Sequence, residues 1–405
     1  MKYVILVGDG MGDYPVAQLG DKTPLEAAQI PTIDELCRHG ELFLNRTVPE
    51  GFPPGSDVAN MSLLGYDPAL YYTGRSPLEA AAMGVELADD ETAFRCNMVT
   101  LERGADGRVQ MVDFSAGHIT NEESHQLISA LNDECGSELF AFHPGVSYRH
   151  LMVLKGEHPG FATVPPHDYI EQDVTGFFNS YLEDPEWKEL LEKVEKTLGD
   201  HPVNQARIAA GKAPANMVWL WGEGKMPSAP PLTRRFDISG SMISAVDLLK
   251  GLGVVGGLSV LDIEGATGYI DTNYEGKAQA AIESLKVQDF TFVHLEGPDE
   301  AGHKGSLEDK MQAIEDFDSR IVKPIFDYLT EAEEEFRMVI TMDHFTPLAI
   351  RTHTTDAVPT VIYDSRRQQP GCGRPFNENE AKAIDQELAN GLEAGHQMIE
   401  KLLEQ

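Results

Sequence analysis

Apolar and polar positions along the chain follow two rhythms. Toward both ends, short and largely apolar runs alternate with stretches of helical spacing. Residues 3–7, 290–295, 337–341 and 358–363 are such runs. Runs of this length and composition mark strands buried on both faces, as in a parallel sheet. Further strands are expected over 42–48 and 258–263. The 3.6-residue period predicts a helix starting at Pro31 and others over 57–64, 78–83, 242–249, 277–285, 307–329 and 378–403. Pro31 suits a first helical position, Asn377 suits an N-cap, and Pro324 predicts a kink in the long helix.

From about residue 89 the rhythm changes. Residues 94–101 and 109–114 flank the turn Arg103-Gly104-Ala105-Asp106-Gly107 and read as an antiparallel pair. Residues 139–143 and 148–154 read as a second pair, with helices over 121–130 and 186–198. After residue 237 the strand-helix alternation resumes, which argues for a mostly parallel sheet with helices on both faces. Asp9 follows the first strand, and Asp343 and His353 follow late ones. One site gathers them only if both ends of the chain share a sheet. The expected organisation is therefore an α/β domain from 1–88 and 237–405, with an inserted α+β domain over 89–236.

A chain of 405 residues is long for a single core, which agrees with two domains. The formal charge of −34 argues against nucleic acid and anionic membranes as partners. With 32 basic against 66 acidic residues, a basic residue in a signature loop points to an anionic substrate. The expected partner is a small phosphorylated substrate; oligomeric state is left open. Cys37, Cys96, Cys135 and Cys372 are scattered and read as reduced thiols of a cytoplasmic enzyme. The first apolar run is too short for a secretory leader, and none is long enough to span a bilayer.

Chemistry concentrates in residues 292–359. Asp299 and His303 are four apart, so one helical turn aims both at one point. Asp343 and His344 follow a strand, and His353 lies in a polar loop before another. With Asp9 these are six carboxylate or imidazole ligands, a set suited to Zn²⁺ or Mn²⁺. Six exceed the needs of one ion. Two cations a few Å apart stabilise the attacking and leaving oxygens of phosphoryl transfer and activate a hydroxyl. Ser56 and Ser62 are the candidate hydroxyls. Ser56 also reads as a helix cap, and Ser62 falls in the first turns, where backbone N–H groups favour anions.

The ordered set Val7-Gly8-Asp9-Gly10-Met11-Gly12-Asp13, Asp57-Val58-Ala59-Asn60-Met61-Ser62-Leu63-Leu64-Gly65-Tyr66-Asp67-Pro68, Tyr72-Thr73-Gly74-Arg75, Asp113-Phe114-Ser115-Ala116-Gly117-His118, Ser147-Tyr148-Arg149-His150, Gly276-Lys277, Asp299-Glu300-Ala301-Gly302-His303 and Asp343-His344 carries a family likeness. It resembles the cofactor-independent phosphoglycerate mutases of the archaeal type, within the alkaline phosphatase superfamily. The resemblance spans nearly the whole chain. It implies an alkaline phosphatase-like fold and interconversion of 3- and 2-phosphoglycerate through a phosphoserine on Ser62. It implies two divalent cations, with Mn²⁺ leading and Mg²⁺, Co²⁺ and Zn²⁺ as alternatives. One would be held by Asp299, His303 and His353, the other by Asp9, Ser62, Asp343 and His344. Lys277 would stabilise the transferring phosphoryl group. His118 and Arg149 would bind glycerate, with Arg234 or its neighbour Arg235 assisting.

Two competing readings keep the same metal site. One is a homoserine kinase-like phosphotransferase, as proposed for bacterial proteins that this chain resembles. The other is a plain phosphomonoesterase. The chain has no G-x-x-x-x-G-K-[ST] loop, which weakens nucleotide use. Ala357 stands where the family more often shows proline, which affects loop stiffness more than ligation. His167-Asp168 reads as a structural loop, and Arg75 as an ion-pairing or substrate residue.

Overall fold

The computed structural model describes residues 1–366 and 370–403. Among them are the strands β1 (Lys2–Gly8), β2 (Glu41–Asn45), β3 (Glu91–Arg103), β4 (Val109–Asp113), β5 (Phe140–Val146), β6 (Arg149–Lys155), β7 (Met217–Gly224), β8 (Gly240–Ile243), β9 (Ser259–Val260), β10 (Phe290–Leu295), β11 (Phe336–Thr341) and β12 (Val358–Asp364). The chain divides into two compact units, Met1–Tyr72 with Ser228–Gln405, and Thr73–Pro227.

The first unit is an α/β structure on one seven-stranded sheet of order β2-β12-β11-β1-β10-β8-β9. β1 is central and parallel to both β10 and β11. Only β12 runs against its neighbours. Val4 and Leu6 enter the core beneath helices Pro31–His39, Tyr274–Leu285 and Leu307–Asp316, and Ile5 and Val7 on the other face are equally buried. A strand covered on both faces has no polar alternation, which is what its sequence shows. The second unit is an antiparallel five-stranded sheet in which β7 pairs with β3. Its core surrounds Phe94, Tyr181, Trp187 and Trp219. Among the described residues, no helix is long and apolar enough to cross a membrane.

Several expectations differ from the structure. The boundaries expected at 88/89 and 236/237 lie at 72/73 and 227/228. Helix Ser76–Ala82 belongs with the second unit: Ser76 Oγ donates to Gly222 O (2.6 Å) and accepts from Arg95 N (2.7 Å). Segment 228–236 belongs with the first, since Arg235 donates to Gly65 O (2.6 Å) and Tyr66 to Pro230 O (3.1 Å). Residues 240–243, partly read as a helix start, form β8 beside β10, and the helix is Asp247–Val255. A short apolar run fits either period, and strand pairing decided it. The helix over 307–331 is continuous but passes through a π turn at Phe317–Val322, just before Pro324. Proline has no N–H for residue 320 and crowds its carbonyl, so the ladder shifts there. The helix expected over 378–403 ends at Leu388, with Ala389 left-handed before Asn390-Gly391.

A buried polar strut braces the loop after β1. Lys310 is fully buried and donates to Asp13 Oδ2 (2.8 Å), Thr346 O (2.8 Å) and Gly12 O (3.2 Å). Glu378 accepts from Thr23 Oγ1 (2.7 Å) and Asp13 N (3.1 Å). Burial raises the Glu378 carboxyl to about 7, against the donated hydrogen bonds. A carboxyl whose folded pKa exceeds its unfolded value binds protons more tightly when folded. Its contribution is therefore full below about pH 4.5 and is lost as pH rises through about 7. Glu378→Gln should flatten the fall in melting temperature between pH 5 and 8. By pH 8 the variant should be the more stable, by at most roughly 3 kcal/mol. Parallel pH profiles for the two proteins would contradict this.

Candidate active site and metal centre

The parallel register sets the site. Val7 of β1 lies beside His294 of β10 and Thr341 of β11, so the segments that follow these strands converge. Gly10 has a φ of +60°, and a Cβ there would come within 2.8 Å of the Asp299 Cα. Only glycine lets the two backbones approach this closely.

Two ligand groups form. The ligand atoms of Asp9, His294 and Asp343 lie within 4.8 Å of one another, as do those of Asp299, His344 and His353. Asp9 Oδ2 is 3.3 Å from His294 Nε2, and Asp9 Oδ1 is 3.6 Å from His344 Nε2. Asp343 Oδ1 accepts from Gly10 N (3.2 Å) and His344 N (2.9 Å), and Oδ2 accepts from Asn60 Nδ2 (3.0 Å). Asp299 and His303 share helix Gly297–Lys304, with His303 Nε2 at 3.2 Å from Asp299 Oδ2. His353 Nε2 is 3.4 Å from Asp299 Oδ1 and 2.9 Å from His303 Nε2. The six residues Asp9, Asp299, His303, Asp343, His344 and His353 are thus brought together.

The donor set fits divalent cations. Asp9 Oδ1 is buried without a hydrogen-bond partner. Burial, then the charges of Asp343 and Asp299, push the Asp9 carboxyl well above its usual range. Burial also opposes ionisation of Asp299, but His303 and His353 outweigh it and hold that carboxyl low. The Asp299 hydrogen bond in turn raises His303 to about 9. Buried carboxylates that repel one another and imidazole nitrogens that converge are satisfied together by a cation.

The two candidate hydroxyls part company. Ser56 is the first residue of helix Ser56–Leu63, with Gly55 as N-cap, so it is not the cap its sequence position indicated. Its Oγ lies 3.1 Å from His344 Nε2. Ser62 is six positions on, about 9 Å along the axis and roughly 240° around it. It is fully buried, and its Oγ has no hydrogen-bond partner. The structure places Ser56, not Ser62, against the ligand cluster.

Lys277 is also set differently from expectation. Its fully buried ammonium donates to Glu296 Oε2 (2.8 Å) and His294 O (3.0 Å). Glu296 Oε1 in turn accepts from Ser244 Oγ (2.7 Å) and lies 3.2 Å from His294 Nδ1. Lys277 therefore reaches Asp9 and Asp343 through Glu296 and His294.

In the second unit, His118 is exposed at a φ of +49° and lies edge-on to Phe114 and Tyr148. Arg149 is exposed over the Tyr148 ring. Arg95 stacks on Trp221 at 4.2 Å and pairs with Glu79 at 3.0 Å. Burial lowers its pKa, Glu79 opposes this, and the charges of Arg75 and Arg149 add to the lowering. His167 lies near Phe114 and Trp221 within reach of the same arginines. Arg234 is exposed on helix Leu232–Phe236, which belongs to the first unit.

The model of the family described as 2,3-bisphosphoglycerate-independent phosphoglycerate mutase matches residues 37–204. A Methanosarcina barkeri protein with that name is 50% identical over 384 residues, covering 94% of this chain and 95% of the relative. The chain belongs to the 2,3-bisphosphoglycerate-independent phosphoglycerate mutases, a family of isomerases. Two solved structures share its fold. The PH0037 protein from Pyrococcus horikoshii superimposes with a TM-score of 0.81 at 30% identity, covering 99% of this chain and 96% of that one. A cofactor-independent phosphoglycerate mutase from Thermoplasma acidophilum gives 0.65 at 27% identity, covering 100% and 99%.

Against this family background, the sequence reading missed Asn60, His294, Glu296 and Arg95. Asn60 carries a signal, since it lies four residues after Ser56 and so on the same helix face. His294 carries little, because it sits inside an apolar strand and reads as core. The Lys277–Glu296 pair yields a direct test. Removing one partner of a buried ion pair costs about 3–5 kcal/mol, because the other charge stays buried. Lys277→Met should lose stability of that order in urea unfolding, and Lys277→Met with Glu296→Leu should recover most of it. A single variant that unfolds like the parent would show that the pair does not hold the site.

Proposed function

We propose that this enzyme interconverts 3-phosphoglycerate and 2-phosphoglycerate through a phosphoserine on Ser56. The observation that carries the reading is the Ser56 hydroxyl at a helix N-terminus, 3.1 Å from His344 Nε2, which itself lies 3.6 Å from Asp9 Oδ1 and 3.4 Å from Asp343 Oδ2. Asp299, His303 and His353 would hold one divalent cation, and Asp9, Asp343 and His344, with the Ser56 oxygen, the other. Cations so held lower the pKa of a hydroxyl and neutralise phosphoryl oxygens.

The residues account for the remaining chemistry. The Ser56 oxygen forms a bond to phosphorus as the bond to the substrate's 3-oxygen breaks. The glycerate then turns, and its 2-hydroxyl takes the phosphoryl group back from Ser56. The positive end of helix Ser56–Leu63 favours the anion while it is held there. Asn60 orients Asp343 through its Nδ2 and braces the Ser56 carbonyl at 2.9 Å. His294 and Glu296 position Asp9, and Lys277 offsets the Glu296 charge. Recognition of glycerate is assigned to Arg95, Arg149 and His118 of the second unit, with Arg75 and His167 nearby. Guanidinium groups suit a carboxylate because they bind it through two parallel hydrogen bonds.

Purified protein supplied with Mn²⁺ should interconvert the two phosphoglycerates without added 2,3-bisphosphoglycerate, and chelation should abolish this. Ser56→Ala should lower kcat by roughly 10³-fold or more. Ser62→Ala should keep activity within a few-fold, because it removes only a buried, unpartnered hydroxyl. Activity lost in Ser62→Ala but kept in Ser56→Ala would overturn the assignment. Release of inorganic phosphate without interconversion would overturn the mutase reading itself.

A further inference from the structure

Outside the metal centre, one pair of side chains carries chemistry that the phosphoryl-transfer site does not use. Cys37 lies on helix Pro31–His39 and Cys372 on the segment before helix Glu378–Leu388, 335 residues away in sequence. Their sulfur atoms are 3.9 Å apart. We infer that Cys372 is a peroxide-reactive thiol and that Cys37 resolves its oxidised form into an intramolecular disulfide.

The backbone holds the pair in register. Cys372 N donates to Gly40 O (2.9 Å) and Gly373 N to Arg38 O (3.0 Å), so the segment closes the C-terminal end of the helix. A Cβ on Gly371 would meet the His39 carbonyl carbon at 2.3 Å, so the two backbones are in close contact. Access differs between the two thiols. Cys37 is fully buried, whereas Cys372 is half-buried and lines a cavity of about 620 Å³ with His39, Gly40, Glu41 and Gly371. A small oxidant entering this cavity meets Cys372 first.

Polarity agrees with that order. The Cys37 thiol lowers the pKa of Cys372 to about 6 against burial, and the Arg374 N–H and guanidinium add to it. The same contact, with burial, pushes Cys37 up, so it remains a thiol until it is needed. Cys96 and Cys135 are buried in the second unit, and burial raises both. The thiolate is the reactive form, so Cys372 is the one cysteine of the four suited to attack.

The reaction balances with a peroxide as oxidant. The Cys372 thiolate attacks one peroxide oxygen, the O–O bond breaks, and the leaving hydroxide takes up a proton to become water. The Cys372 sulfenic acid then accepts attack from the Cys37 sulfur. Its S–O bond breaks, and the departing hydroxide takes the Cys37 proton. Two thiols and one hydrogen peroxide become one disulfide and two waters. The sulfurs must close from 3.9 Å to a bond of about 2.05 Å, a side-chain movement within a clamped backbone.

The test treats the full-length, metal-loaded protein with a slight excess of hydrogen peroxide, followed by non-reducing digestion and mass spectrometry. The expected product is a peptide pair joined through Cys37 and Cys372, lighter by two hydrogens and reversed by dithiothreitol. Two of the four thiols should be lost, with Cys96 and Cys135 intact. Alkylation of Cys372 by iodoacetamide should rise at a lower pH than that of an ordinary thiol, whose midpoint is about 8.5. In Cys37→Ala the oxidation should stop at a sulfenic acid that dimedone traps on Cys372. An unlinked Cys372 after oxidation, or oxidation of Cys135 before Cys372, overturns the proposal. Neither outcome needs a variant to fold.

Discussion

Like charges meet in the interior of the first unit. Asp9, Asp299 and Asp343 are buried where the segments after β1, β10 and β11 converge. Carboxylates so placed repel each other and have lost their water, so the surrounding structure must offset them. The offset is visible in the placement of cations. Lys277 and Lys310 are both fully buried in a chain that carries twice as many acidic as basic residues. Each lysine answers a carboxylate next to the cluster, Glu296 in one case and Asp13 in the other. Neither touches the three central carboxylates, which remain open to divalent ions.

That arrangement explains why half of the site was legible from sequence. Asp9, Asp299, Asp343, His344 and His353 stand out because each follows an apolar strand or lies in a polar loop. The metal cluster is written at strand ends, where periodicity breaks. His294 and Glu296 were hidden because the strand itself supplies His294, and a histidine within an apolar run reads as core. The choice between the two candidate hydroxyls was hidden for a related reason. Ser56 and Ser62 share one short helix, and spacing alone does not say which face meets the cluster. The structure sets Ser56, and not Ser62, beside His344.

The fold was legible to a similar depth. The central strand, its parallel neighbours and the antiparallel middle follow from apolar runs and turn residues. β8 was misread because a strand of four residues, Gly240–Ile243, carries no usable period, and β7 was passed over between a helix and a proline-rich loop. The unit boundaries were misplaced because helix Ser76–Ala82 attaches to β3 and β7 through Ser76, a contact no local pattern announces. Arg234 was placed in the second unit by the same boundary error.

The central position of β1 imposes an order on the birth of the molecule. Gly10 N donates to Asp343 Oδ1 across 333 residues of chain. While the protein is being synthesised, β1 emerges first and yet has no neighbours to pair with until β10 and β11 have left the ribosome. The second unit, whose sheet partners all lie between Glu91 and Gly224, has its contacts complete well before then. The strand that ends in Asp9 therefore waits, apolar and unpaired, through most of translation, and the active centre assembles only after Asp343 and His353 have been made.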